Sequence, residues 1–141
     1  MNRELIGNIS FYTIILVLQL LVFNQINLFG FVTPFVYLII FIHYRTSYDK
    51  TVLLLLGFLI GFIMDLSMQT YGCHTFSTIT ICYLRSRIEK SSFGVNANLP
   101  LAMIKGTPLL SRVSFFLSLI VIHSIIYYSF IFFNINILST I

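Results

Sequence analysis

Five apolar runs, none of them interrupted by Lys or Arg, dominate the chain: residues 9–24, 31–42, 51–65, 73–84 and 113–133. A soluble domain carries about a quarter charged residues. Here 9% of 141 residues are charged and 58% are hydrophobic. No water-soluble fold of this length can hide so much apolar surface, so the solvent is lipid. The alternating pattern of a membrane β-strand is absent, which leaves helices as the spanning structure. The chain therefore reads as all-α: a polytopic transmembrane helical bundle of five helices, one integral membrane domain over residues 1–141. The first and last runs are comfortable against the ~20 residues that a span needs. The middle three are short and are expected to be tilted or shielded by neighbours. Pro34 predicts the start of the second helix, where a missing N–H costs little. Residues 85–112, rich in Gly, Asn and Ser, read as a polar loop with a short surface helix near residues 101–105.

The basic residues orient the chain. Arg3 precedes the first run, Arg45 and Lys50 separate the second from the third, and Arg85, Arg87, Lys90, Lys105 and Arg112 separate the fourth from the fifth. With five crossings all eight fall on one side, which predicts a cytoplasmic N-terminus. Tyr12, Tyr44, Tyr48, Tyr71 and Tyr83 fall near run ends, where amphipathic rings settle at the interface. Asn24, Gln25 and Ile26 do not make a signal-peptidase site, so the first run is expected to remain as an uncleaved helix. No basic stripe with interleaved aromatics points to nucleic acid. Cys73 and Cys82 would lie about 13 Å apart on one helix, too far for a disulfide. They read as inert thiols.

One of the four acids closes the third run, in GFLIGFIMDLSMQTYG, residues 57–72. On a helix Gly57, Gly61 and Asp65 share a face, spread over about 80°. The glycines admit another backbone, and the acid points at whatever approaches. Two readings stand side by side. Asp65 anchors a contact within the protein or with another membrane protein; or it bonds the turn at residues 67–72, or caps the next helix. A lone carboxylate argues against metal or proton-relay chemistry. Gly72, His74, Thr75, Ser77, Thr78 and Thr80 give the fourth run a small, hydroxylated surface. Back-bonding and tight packing is the preferred reading, over a polar lining for a small ligand. His74 is a candidate partner for Asp65, and His123 is expected to bond a neighbouring helix. Asn24, Gln25 and Asn27 are expected to cap the first helix or to sit in the outer headgroup layer. Ser111, Ser114, Ser118 and Ser129 line one face of the last helix, a seam for close packing. Arg45, Lys50, Arg87, Lys90, Lys105 and Arg112 face the cytoplasm and attract anionic headgroups, at about 1 kcal/mol each, or a cytoplasmic partner. No nucleophile with a base, no paired acids and no metal set assemble, so neither an enzyme nor a cofactor is expected.

Three stretches carry a family resemblance: LQLLVFNQINLFGFVTPFVYLII from Leu18, LLLGFLIGFIMDLSMQTYGCHTFSTITICYLR from Leu54, and LAMIKGTPLLSRVSFFLSLIVIHSIIYY from Leu101. In order and spacing the chain resembles the MreD family of the bacterial rod-shape machinery. The resemblance places the family core, Gly-x-x-x-Asp…Gly…Arg, on Gly61, Asp65, Gly72 and Arg85, and the family's basic and histidine positions on Arg112 and His123. The chain departs at Tyr71 and Ser86, where the family often has proline or a small residue, and it ends without the family's usual sixth helix. The resemblance implies a non-enzymatic scaffold in the bacterial inner membrane. Such a scaffold binds MreC and, through it, meets MreB, RodA and a penicillin-binding transpeptidase. It also implies a fold similar to the substrate-binding subunits of energy-coupling-factor vitamin transporters. Transport is the rival reading. Against it, the only alanines are Ala97 and Ala102, in the polar loop, and tryptophan is absent.

Overall fold

The computed structural model describes residues 2–26, 33–94 and 106–138, and the side chains of residues 6–26, 33–94 and 106–133. Regular structure among the described residues is entirely helical. The helices are α1 (Asn2–Leu21), α2 (Ile39–His43), α3 (Lys50–Met68), α4 (Cys73–Phe93) and α5 (Leu109–Leu138), with 3-10 turns at Phe23–Gln25 and Val36–Leu38. Three stretches, Ile6–Gln25, Lys50–Met68 and Leu109–Phe133, are long and apolar enough to cross a bilayer. The protein is an all-α, polytopic membrane protein.

Two expectations need correction. The second run does not form a spanning helix from Pro34. Its described part is irregular to Phe35, where the Val36 N–H closes a tight turn onto the Pro34 carbonyl at 3.0 Å, then a single 3-10 turn and the five residues of α2. The fourth run does not stop at Leu84. α4 runs on for two more turns to Phe93, so Arg85, Arg87 and Lys90 lie on a helix and not in a loop. Helix propensity explains the extension, since Arg, Glu and Lys are good helix formers. The chain turns out of α4 at Gly94, at φ 89°. Residues 101–105, Asn27 and Lys105 lie outside the described residues.

The chain divides into two compact units, Met1–Ile40 and Phe41–Ile141. In the first, α1 presents Ile6, Ile9, Ile14, Val17, Leu18 and Leu21 outward, as a lipid-facing helix must. Among its described side chains the one fully buried polar group is Gln19. The Gln19 amide donates to Asn24 Oδ1 at 3.0 Å and to the Pro34 carbonyl at 3.1 Å, and Gln19 Oε1 accepts the Tyr37 N–H at 3.1 Å. Non-helical backbone in an apolar setting must have its polar groups satisfied by protein. Gln19 supplies that for the irregular segment before α2.

In the second unit α4 is the central helix, packed against both α3 and α5. α5 turns Phe115, Leu119, His123 and Tyr127 inward, a stripe with a four-residue repeat. Ring contacts set its direction: Phe93 meets Phe115 (centroids 5.4 Å) at one end, and Phe76 meets Phe130 (4.8 Å) towards the other. α5 is thus antiparallel to α4. Gln19→Leu should destabilise the first unit by about 2 kcal/mol, because it orphans a buried N–H and a carbonyl. A lowered melting temperature in nanodiscs, with accelerated amide exchange at Tyr37, would register it.

Candidate functional site

The geometry of the second unit grows from the turn between α3 and α4. Gln69 (φ 54°) and Tyr71 (φ 51°) both adopt the left-handed conformation, followed by Gly72 at φ 95°. Side-chain-bearing residues seldom take up that conformation, so the turn needs external ties. Asp65 provides them. Its Oδ1 accepts the Thr70 hydroxyl and the His74 N–H (2.9 Å), and its Oδ2 accepts the Thr75 N–H (2.9 Å) and the Thr75 hydroxyl. The N-cap of α4 is Gly72, which has no side chain to offer. The carboxylate of the preceding helix caps α4 in its place, and its charge lies against the positive end of the helix dipole. Of the two sequence readings of Asp65, the described contacts are those of the cap. His74 meets it through its backbone N–H.

Below the turn the two helices nearly touch. A Cβ on Gly61 would stand 2.5 Å from Thr75 Cα and 2.9 Å from Thr75 N, while one on Gly57 would stand 2.7 Å from Cys82 Sγ. The Thr78 hydroxyl lies 2.8 Å from the Gly57 carbonyl and 2.8 Å from that of His74, and so can bond across the seam or back along its own helix. Ser77 bonds back to the Cys73 carbonyl at 2.7 Å. The glycine face is therefore covered by α4 of the same chain. The face of α3 left exposed carries Leu55, Phe58, Leu59, Phe62 and Leu66.

On its other side α4 meets α5 through an aromatic cluster. His74 lies 4.3 Å from the Tyr127 ring and 6.1 Å from His123, and all three are buried. Sequence reasoning named both histidines but missed Tyr127, whose signal is its place four residues after His123. Of the serine seam, Ser114 and Ser129 are exposed while Ser111 and Ser118 are half-buried beside the inward stripe. Ser129 bonds back to the Ile125 carbonyl.

At the opposite end of α4, Arg85 is buried. Its Nε donates to the Phe41 carbonyl at 2.8 Å and its Nη2 to the Tyr44 carbonyl, which ties off the C-terminus of α2. Glu89, one turn on, lies 3.7 Å from Arg85 and accepts the Thr46 hydroxyl at 2.6 Å. The Tyr44 phenol donates to the Asp49 carbonyl at 2.8 Å, and burial raises its pKa above the ordinary value, so the donor keeps its proton. Glu89, Thr46 and Tyr44 were missed as site residues, although an acid four residues after Arg85 was a readable signal. Lys50 and Arg87 are exposed at this same end, as are Arg45 and Lys90. Arg112, at the start of α5, bonds the Thr107 hydroxyl (3.2 Å) and carbonyl (3.1 Å).

Asp65→Asn removes the charge and half of the acceptor capacity, and should cost about 1–3 kcal/mol. Faster hydrogen exchange at the His74 and Thr75 amides is the readout. Gly61→Ala should destabilise the α3–α4 pair by 2 kcal/mol or more, whereas Phe62→Ala on the exposed face should be nearly neutral. Unfolding in mixed detergent separates the two.

No curated protein sequence and no solved structure matches the chain. A family model does: the description is rod shape-determining protein MreD, and the match extends over residues 3–141. Such coverage takes in both compact units, the capped α3–α4 turn and the arginine that ties off α2, and the chain belongs to the MreD family of rod shape-determining membrane proteins.

Proposed function

We propose that this protein is a non-enzymatic scaffold of the bacterial inner membrane. It binds MreC and through it joins MreB, RodA and a penicillin-binding transpeptidase in the cell-wall elongation complex. The observation that carries the reading is the family match over residues 3–141, which favours it over vitamin transport. The orientation proposed is N-terminus cytoplasmic. For the N-terminus it rests on Arg3 ahead of the first apolar run; within the second unit, Arg45, Lys50, Arg85, Arg87, Lys90 and the start of α5 gather at one end, the end that the positive-inside rule puts in the cytoplasm.

The partner's single membrane helix packs against α5 at Ser114 in this reading. The glycine face of α3 is already filled by α4, so an exposed small residue of the serine seam is where another backbone gains close approach, and of the two exposed serines Ser129 is bonded back to the Ile125 carbonyl. Ser114→Leu should reduce co-purification of the partner several-fold, while Val113→Leu, its exposed neighbour, should not. Ser114→Cys should crosslink to a cysteine walked along the partner helix with a period near 3.6 residues. Equal recovery with both leucine variants would remove Ser114 from the interface.

A further inference from the structure

The cytoplasmic-type end of the second unit holds a cavity of about 340 Å³, enclosed by the α2–α3 loop, the first turn of α3 and the last turns of α4. Three cations line it, Lys50, Arg85 and Arg87, against one acid, Glu89. Arg85 and Glu89 face each other at 3.7 Å and are both buried, so their charges are largely spent on one another. Lys50 and Arg87 are exposed. Arg87 lies over the Tyr83 ring, 5.9 Å from its centroid, which leaves its guanidinium edge available to an anion.

The lining changes character with depth. Lys50 opens the apolar span Lys50–Met68, so the cationic mouth sits at the edge of the hydrocarbon. Leu53 and Leu54, also lining the cavity, lie about one helical turn, ~5 Å, deeper. A soluble anion has no use for that apolar floor. A phospholipid has both parts, and its phosphate and acyl chains meet at this level of a bilayer.

We propose that the cavity seats the headgroup of an anionic phospholipid, with its phosphate between Lys50 and Arg87 and its acyl chains leaving over Leu54 and Tyr83. This is a built site, distinct from diffuse attraction between basic residues and membrane, and it does not depend on the partner assignment above.

Native mass spectrometry of the full chain, titrated with phosphatidylglycerol and with phosphatidylcholine of identical acyl chains, tests it. Phosphatidylglycerol should bind at least about fivefold more tightly, the worth of one interfacial charge. Lys50→Gln with Arg87→Gln should abolish that preference. Lys90→Gln, exposed on the same helix but outside the cavity, should leave it intact. Ser86→Phe fills the cavity without altering charge and should lower phosphatidylglycerol binding as much as the double variant. Leu54→Trp, from the other wall, serves the same purpose should Ser86→Phe fail to fold. Equal binding of the two lipids, an equal loss from Lys90→Gln, or full binding to a folded cavity-filled variant would overturn the proposal. Displacement of phosphatidylglycerol by equimolar glycerol phosphate would also overturn it, in favour of a soluble phosphate ligand.

Discussion

The first turn of a helix leaves N–H groups that its own carbonyls cannot satisfy, and at the start of α4, where Gly72 offers no side chain, the Asp65 carboxylate meets that demand. The same contact fixes the turn, in which Gln69 and Tyr71 take the left-handed conformation, and it sets the register of α3 against α4. Gly61 then falls opposite Thr75 and Gly57 opposite Cys82, and both glycines sit where any side chain would collide. One interaction at the end of the hairpin thus determines which residues meet along its length.

The distribution of polarity follows from this. In water the apolar helix is the buried one; here the buried helix is the one with most hydroxyls and ions. α4 carries His74, Ser77, Thr78, Arg85 and Glu89 in its buried set, while α3 and α5 offer aromatic and aliphatic side chains to lipid. Each polar group inside has a job that lipid cannot do. Thr78 reaches the Gly57 carbonyl, and Arg85 ties off the short helix α2. Gln19 plays the equivalent part in the first unit, where it holds an irregular segment that would otherwise leave bare backbone. The cost of desolvating such groups is offset only when they are bonded, and that limits how far any of them can shift.

For a shape-determining membrane protein, close packing inside and unspent surface outside are complementary. The small residues of α3 are consumed within the chain, and the exposed faces of α3 and α5 remain for lipid or partner helices. The cationic end gathers charges from α3 and α4 around a cavity also lined by Leu53 and Leu54. A shape-determining membrane protein therefore presents two distinct surfaces, one made of helix faces and one made of interfacial charge.

Much of this was legible without coordinates. The lipid solvent, the helical class, the segregation of basic residues and the shared face of Gly57, Gly61 and Asp65 follow from composition and from 3.6-residue periodicity, both local properties. The lengths of α2 and α4 did not follow, because an apolar run marks where lipid is tolerated and not where a helix starts or stops. Nor could periodicity say what a face touches. A glycine stripe meets its own chain or another chain equally well, and only the antiparallel return of α4 assigned it. The resemblance put Arg85 in the family core, but the sequence could not name what it binds, because Phe41 and Tyr44, whose carbonyls it meets, lie more than forty residues away. What the sequence determined by itself was the solvent and the kind of element. What only the tertiary structure decided was the pairing of faces, since hydrogen bonds between distant segments exist only once the helices have packed.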